Sequence, residues 1–158
     1  MKKVLIYILI LFFIAPFILI SDENDLKGID EISVSVVLWG VNELSREQVI
    51  TDVELKLRLA GISVVEPSLY EVPMFEVYVN GLFIYDLYSY AVYINCKLYK
   101  GAVIKFNDSN NSHVTNQSVW IRDILGFTSK QNVEKVIRDK VKDFTDEFLN
   151  DYLAVNPK

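Results

Sequence analysis

One cysteine and one histidine bound the covalent chemistry open to this chain of 158 residues. Cys96 lies between Ile94 and Leu98 on the apolar side of an alternating run, so its thiol is expected to be buried, protonated and inert. His113 stands alone in the Asn/Ser-rich stretch 107–116, and a catalytic base needs a nucleophile neighbour that no motif here supplies. With Arg122 and Asp123 it makes up the set from which a hydrolytic site could be assembled. Asp108, Asn110 and Ser112 copy the first three side-chain ligands of a calcium loop. His113 then takes the place of the turning glycine and Val119 that of the closing glutamate, so the match fails. Asn107, Asn110 and Asn116 open Asn-x-Ser triplets, which matter only in a eukaryotic secretory route. The chain has no glycine-rich phosphate loop, nucleophile elbow or HExxH motif. The expectation is therefore no catalytic residue, no metal and no cofactor.

Binding is better served by the aromatics. Seven of the nine tyrosines fall between residues 70 and 99, together with Phe75 and Phe83. In the run 88–99, Tyr88, Tyr90, Val92, Ile94, Cys96 and Leu98 share one face of a strand, and Tyr93, Lys97 and Tyr99 share the other. Exposed rings flanking a lysine can grip a partner chain or a carbohydrate, and this makes Tyr93, Lys97 and Tyr99 the candidate binding residues. Cross-strand packing by residues of high strand propensity is the plainer reading of the same pattern.

The amino terminus sets the compartment. Met1-Lys2-Lys3 is a short positive start, and Val4 to Ile20 is an uncharged, almost wholly apolar run broken by Pro16. Residues 1–21 thus read as a secretory signal, or as a retained membrane anchor where cleavage fails; neither Ser21 nor Ala15 offers a good cleavage site. No Cys lies nearby to take a lipid. Either way the body is expected outside the cytoplasm, periplasmic or extracellular, touching a membrane only through residues 4–20. Beyond residue 21 there remain fourteen basic and twenty-one acidic residues, a net charge of −7, which argues against a nucleic-acid partner.

The elements that position these residues follow from periodicity. Residues 22–31 hold five acids and read as a solvated linker. Ile32, Val34, Val36 and Leu38 alternate with serines as a half-buried strand, and Val37 and Trp39 suggest that its second face is partly covered late on. Ser45-Arg46-Glu47-Gln48 is a capping box opening a helix over 45–60, with Val49, Val53, Leu57 and Ala60 on its core stripe and Gly61 as the left-handed stop. Asp52–Lys56 and Glu54–Arg58 are spaced as pairs along its solvated side. Strands follow at 62–65, from Phe75, at 88–99, at 102–106 and at 117–125 around Val119 and Ile121. Asn80-Gly81 signals a hairpin; the competing reading runs to Ile84 and turns at Tyr85-Asp86-Leu87. A second capping box at Thr128-Ser129-Lys130-Gln131 opens the last helix, whose stripe is Val133, Ile137, Val141, Phe144, Phe148 and Tyr152.

The stretches Thr51-Asp52-Val53-Glu54-Leu55-Lys56-Leu57-Arg58-Leu59-Ala60-Gly61-Ile62 and Phe148-Leu149-Asn150-Asp151-Tyr152-Leu153-Ala154-Val155-Asn156-Pro157 resemble a group of small exported bacterial proteins of unknown function. The element order is more distantly similar to the amino-terminal domain of the Tol–Pal propeller protein and to the lipoprotein activators of penicillin-binding proteins. That resemblance implies a non-enzymatic adaptor with a protein or envelope component as partner. The expected fold is a single α+β domain over 32–158, a mainly antiparallel sheet of five or six strands with two helices on one face.

Overall fold

The computed structural model describes residues 23–67, 72–105 and 112–157. The apolar segment 4–20 and Tyr70 lie outside them, as does the first half of the Asn/Ser stretch, 107–111. One sheet of five strands runs in the order β2-β1-β3-β4-β5, built from β1 (Glu31–Trp39), β2 (Ser63–Val65), β3 (Met74–Ile84), β4 (Ser89–Lys105) and β5 (Ser112–Ser129). Two helices, α1 (Arg46–Leu59) and α2 (Val133–Val155), touch each other and pack on the same face of that sheet. The fold is the expected α+β sandwich. β1 is parallel to both neighbours because α1 carries the chain back across the sheet before β2, whereas β3, β4 and β5 form antiparallel ladders.

Alternation decides which residues meet the helices. Ile32, Val34 and Val36 from β1, Phe75, Val77 and Val79 from β3, and Tyr90, Val92, Ile94, Cys96 and Leu98 from β4 are buried beneath them. The helices answer with Val49, Val53 and Leu57, and with the full stripe expected of α2 from Val133 to Tyr152. Phe75, Trp120 and Phe148 form the centre of this layer, with ring centroids 5.1 to 5.9 Å apart. A bulge opposite Leu98 and Tyr99 lets both Val119 and Trp120 turn inward, and the Trp120 indole N–H donates to Asp151 at 2.9 Å.

Several local expectations are revised. Residues 22–31 are not a solvated linker over the part described. Leu26 and Ile29 are buried in the core, the Tyr152 hydroxyl donates to the Ile29 carbonyl, and Lys100 donates to that of Asp25. Two apolar side chains buried in the core outweigh the acids around them. Asn80-Gly81 is not a turn: β3 runs through it to Ile84 and the chain reverses over Tyr85–Tyr88, with Tyr88 left-handed at φ 47°. The glycine serves packing instead, since a Cβ on Gly81 would strike Val41, and one on Gly40 would strike the Gly81 carbonyl. β4 continues past Lys100-Gly101 without a break, so no separate strand begins at 102.

At the helix ends, Ser45 caps α1 as expected, accepting from the Gln48 N–H at 3.3 Å, while Glu47 rather than Gln48 answers the Ser45 hydroxyl. The second capping box does not form. Thr128 and Ser129 stay in β5, and α2 starts after a turn of 3-10 helix at 130–132. Glu54–Arg58 pairs along α1, whereas Asp52 and Lys56 reach across to Arg138 and Asp146 of α2.

Candidate functional site

The face of the sheet away from the helices divides into two halves. Register places Ser35, Glu76, Lys97 and Ile121 in one row across it, and Val37, Tyr78, Asn95 and Asp123 in the next. This half is polar and internally satisfied. The Tyr93 hydroxyl donates to Asp123 at 3.0 Å and the ring meets Tyr78 edge-on at 6.4 Å. The Tyr99 hydroxyl donates to Glu76 at 3.4 Å. Burial, and then the facing carboxylate, hold both phenols above their ordinary value. Tyr93, Lys97 and Tyr99 do share this face as expected, but all three are half-buried instead of standing out from it. Cross-strand neighbours are only about 5 Å away, close enough for Tyr78, Glu76 and Asp123 to lean over them.

The other half, toward the β3–β4 hairpin, is apolar and open. Trp39, Asn80, Tyr93 and Leu125 make one row, and Leu82, Ala91 and Phe127 the next. Trp39, Leu82, Leu125 and Phe127 are 62 to 73% exposed. The partial cover expected late in β1 holds at Val37, which is half-buried, but not at Trp39. Ala91 is small, so Leu82 and Phe127 stand as two walls about 10 Å apart, the span of two strand spacings. The hairpin tip continues the apolar surface with Tyr85, Leu87 and Tyr88, each at least 60% exposed. Isolated exposed apolar residues are ordinary, whereas a cluster of them at one end of a domain is less so.

The tip is braced from the helix side. The Phe83 ring contacts Tyr85, Tyr88 and Tyr90 at centroid distances of 4.9 to 5.7 Å. Lys130 lies over Phe83 and Tyr88 and pairs with Glu43 at 3.4 Å. The Tyr90 hydroxyl donates to Glu43 at 2.8 Å, and that bond holds the Glu43 carboxyl below its ordinary value. The exposed rings thus sit on a fixed base.

The hydrolytic set does not assemble. Arg122 points to the helix face, pairing with Glu147 at 2.9 Å and Asp151 at 3.2 Å, with its guanidinium 5.0 Å above the Trp120 ring. Asp123, one residue on, faces the opposite side of the sheet, where Tyr93 holds it. The backbone of His113 pairs with Ile104 near the far end of β5. Cys96 is buried, and burial pushes its thiol up to about 12. Among the described residues no group of three His, Cys, Asp or Glu is placed to hold a metal ion. The chemistry available to the open half is apolar contact and aromatic packing.

Sequence reasoning missed Leu82, Leu125 and Phe127 as surface residues. Leu125 closes the strand expected over 117–125, but Phe127 lies beyond it and Leu82 beyond the expected Asn80-Gly81 turn, and alternation gives two faces without saying which one lacks a cover.

No protein-family model matches the chain. No curated protein matches it either. Among solved structures it is similar to a 2.35 Å crystal structure of a minor lipoprotein from Acinetobacter baumannii, at 7% identity and a TM-score of 0.40, over 81% of this chain and 93% of that one. Among the described residues no helix is long and apolar enough to cross a membrane.

Proposed function

We propose that the protein is an exported, non-catalytic binding or adaptor module of the cell envelope, docking a protein partner on the apolar end of its open sheet face. The observation that carries this is the exposure of Trp39, Leu82, Leu125 and Phe127 on two adjacent rows of one sheet. Burying them against a partner returns about 25 cal/mol for each Å² of apolar surface removed from water. The half-buried Tyr93, Lys97 and Tyr99 form the polar rim of that site rather than its centre.

The position of the chain's entry supports a protein over a bilayer. Asp25 is tied to Lys100, eleven strand residues from Ser89 at the hairpin, which is about 36 Å at about 3.3 Å per residue. With residues 1–21 retained as an anchor, the apolar end points away from the point of attachment.

Two measurements test this reading. A reporter fused after Lys158 should be active only outside the cytoplasm, and cytoplasmic activity overturns export. A photo-reactive residue at Leu82 should yield one discrete protein adduct in cells. One at Leu55, 56% exposed on α1, should yield none. Equal labelling at the two positions overturns the docking surface.

A further inference from the structure

We propose that the outer edge of β5 pairs with the same edge of a second copy of the chain, antiparallel and centred on Leu125. The inference does not rest on the partner surface above: pairing at the edge leaves the open face uncovered and sets two copies of it side by side.

The two edges of the sheet differ. On one side β2 is only three residues long, and the Val36 carbonyl of β1 beyond it is taken by the Arg46 guanidinium at 2.7 Å. On the other side β5 extends over eighteen residues with no Lys and no Pro, the residues that commonly blunt an edge. Its inward and outward groups alternate. The Lys130 N–H donates to the Tyr88 carbonyl at 3.3 Å, so the even positions leading up to it bond to β4 and the odd ones face out. Two outward carbonyls are closed by neighbouring side chains: Arg122 Nη1 donates to Ile121 at 2.9 Å, and Thr128 Oγ1 to Ser129 at 3.5 Å. Between them stand Asp123, Leu125 and Phe127, whose outward groups meet no partner among the described residues. That free stretch is symmetric about Leu125.

Self-pairing follows from the symmetry. A two-fold axis normal to the sheet keeps both helix layers on one side and requires facing residues to share a face. Centred on Leu125, it sets that residue against itself and Asp123 against Phe127 of the second copy. On the helix side Ile124, 40% exposed, meets Gly126 of the second copy. A Cβ at Gly126 would find nothing within 4 Å, so the Ile124 side chain has room there.

Charge selects the same strip. Bodies of net charge −7 repel each other over most of their surface. Along the described edge the charged side chains are Arg122, held by Glu147 and Asp151, and Asp123, held by Tyr93. The strand's own two charges, Arg122 and Asp123, thus cancel along the edge.

The test uses the full-length chain in detergent. A hydrogen-bonded antiparallel pair brings Cα atoms to about 5.5 Å, within the range a disulfide spans. Leu125→Cys should therefore give a disulfide-linked dimer under mild oxidation. Asn116→Cys, exposed on the same strand but outside the symmetric stretch, should not. Cys96 contributes no background because it is fully buried. In sedimentation the unmodified chain should show twice the monomer mass, and Leu125→Lys, an exposed substitution that leaves the circular dichroism unchanged, should halve it. A monomeric unmodified chain, or equal crosslinking at residues 116 and 125, overturns the proposal.

Discussion

Trp120 and Trp39 stand on opposite sides of one sheet, the first 1% exposed under α2 and the second 62% exposed at the end of β1. Around Trp120 every apolar ring has a partner: Phe75 and Phe148 within 5.9 Å, and Asp151 on the indole N–H. Around Trp39 the neighbouring rows offer Leu82, Leu125 and Phe127 to water. Both sets are apolar, but only one is closed by the fold. The helix side therefore accounts for stability. The open side holds apolar surface that folding leaves unburied, and this is the physical case for a binding role.

That division makes predictions of graded size. Phe148→Ala opens a cavity between Trp120 and Phe75 and should cost about 3–5 kcal/mol in urea unfolding. A loss below about 1 kcal/mol would remove the helix side from the stability account. Tyr93→Ser with Tyr99→Ser lies between the extremes. Both rings are half-buried and hydrogen-bonded, so the pair should cost about 1–3 kcal/mol, clearly less than Phe148→Ala. A cost as steep as that of Phe148 would make the polar half part of the core.

The smallest effect is electrostatic and lies at the braced hairpin. The folded-state pKa of Glu43 is depressed, so its contribution to stability is complete above the unfolded value near 4.5 and is lost as pH falls through the folded value. The melting temperature of Glu43→Gln should accordingly fall short of wild type at neutral pH by no more than a few degrees, and the gap should close in acid. A gap that widened in acid would reverse the assigned sign.

How much of this was legible in the sequence depended on range. The α2 stripe from Val133 to Tyr152 was readable because helical period and burial are set by one element against one layer. The long alternation of β4 was readable for the same reason. Asn80-Gly81 misled because the signal for a turn and the need for a close backbone approach call for the same residue, and only Gly40 and Val41, forty positions earlier, distinguish them. Asp52 and Lys56 were spaced to pair with each other, yet α2 offers Arg138 and Asp146 at partners' distance. Leu26 and Ile29 were hidden among acids, since composition averages over the two side chains that matter. For the site, the sequence directed attention to the open face: tyrosine density marked Tyr93 and Tyr99, which are half-buried, while the most exposed apolar surface of that face is made by Trp39, Leu82, Leu125 and Phe127 from three different strands.

The most direct test of the account uses the two tryptophans themselves. They are the only ones in the chain, so Trp39→Phe and Trp120→Phe each leave one reporter. Acrylamide quenching should be strong for Trp39, seen in the Trp120→Phe variant, and nearly absent for Trp120, seen in the Trp39→Phe variant. Equal and weak quenching of both in the isolated protein would contradict the account, because the open face would then be covered by the chain itself and no apolar surface would remain for a partner.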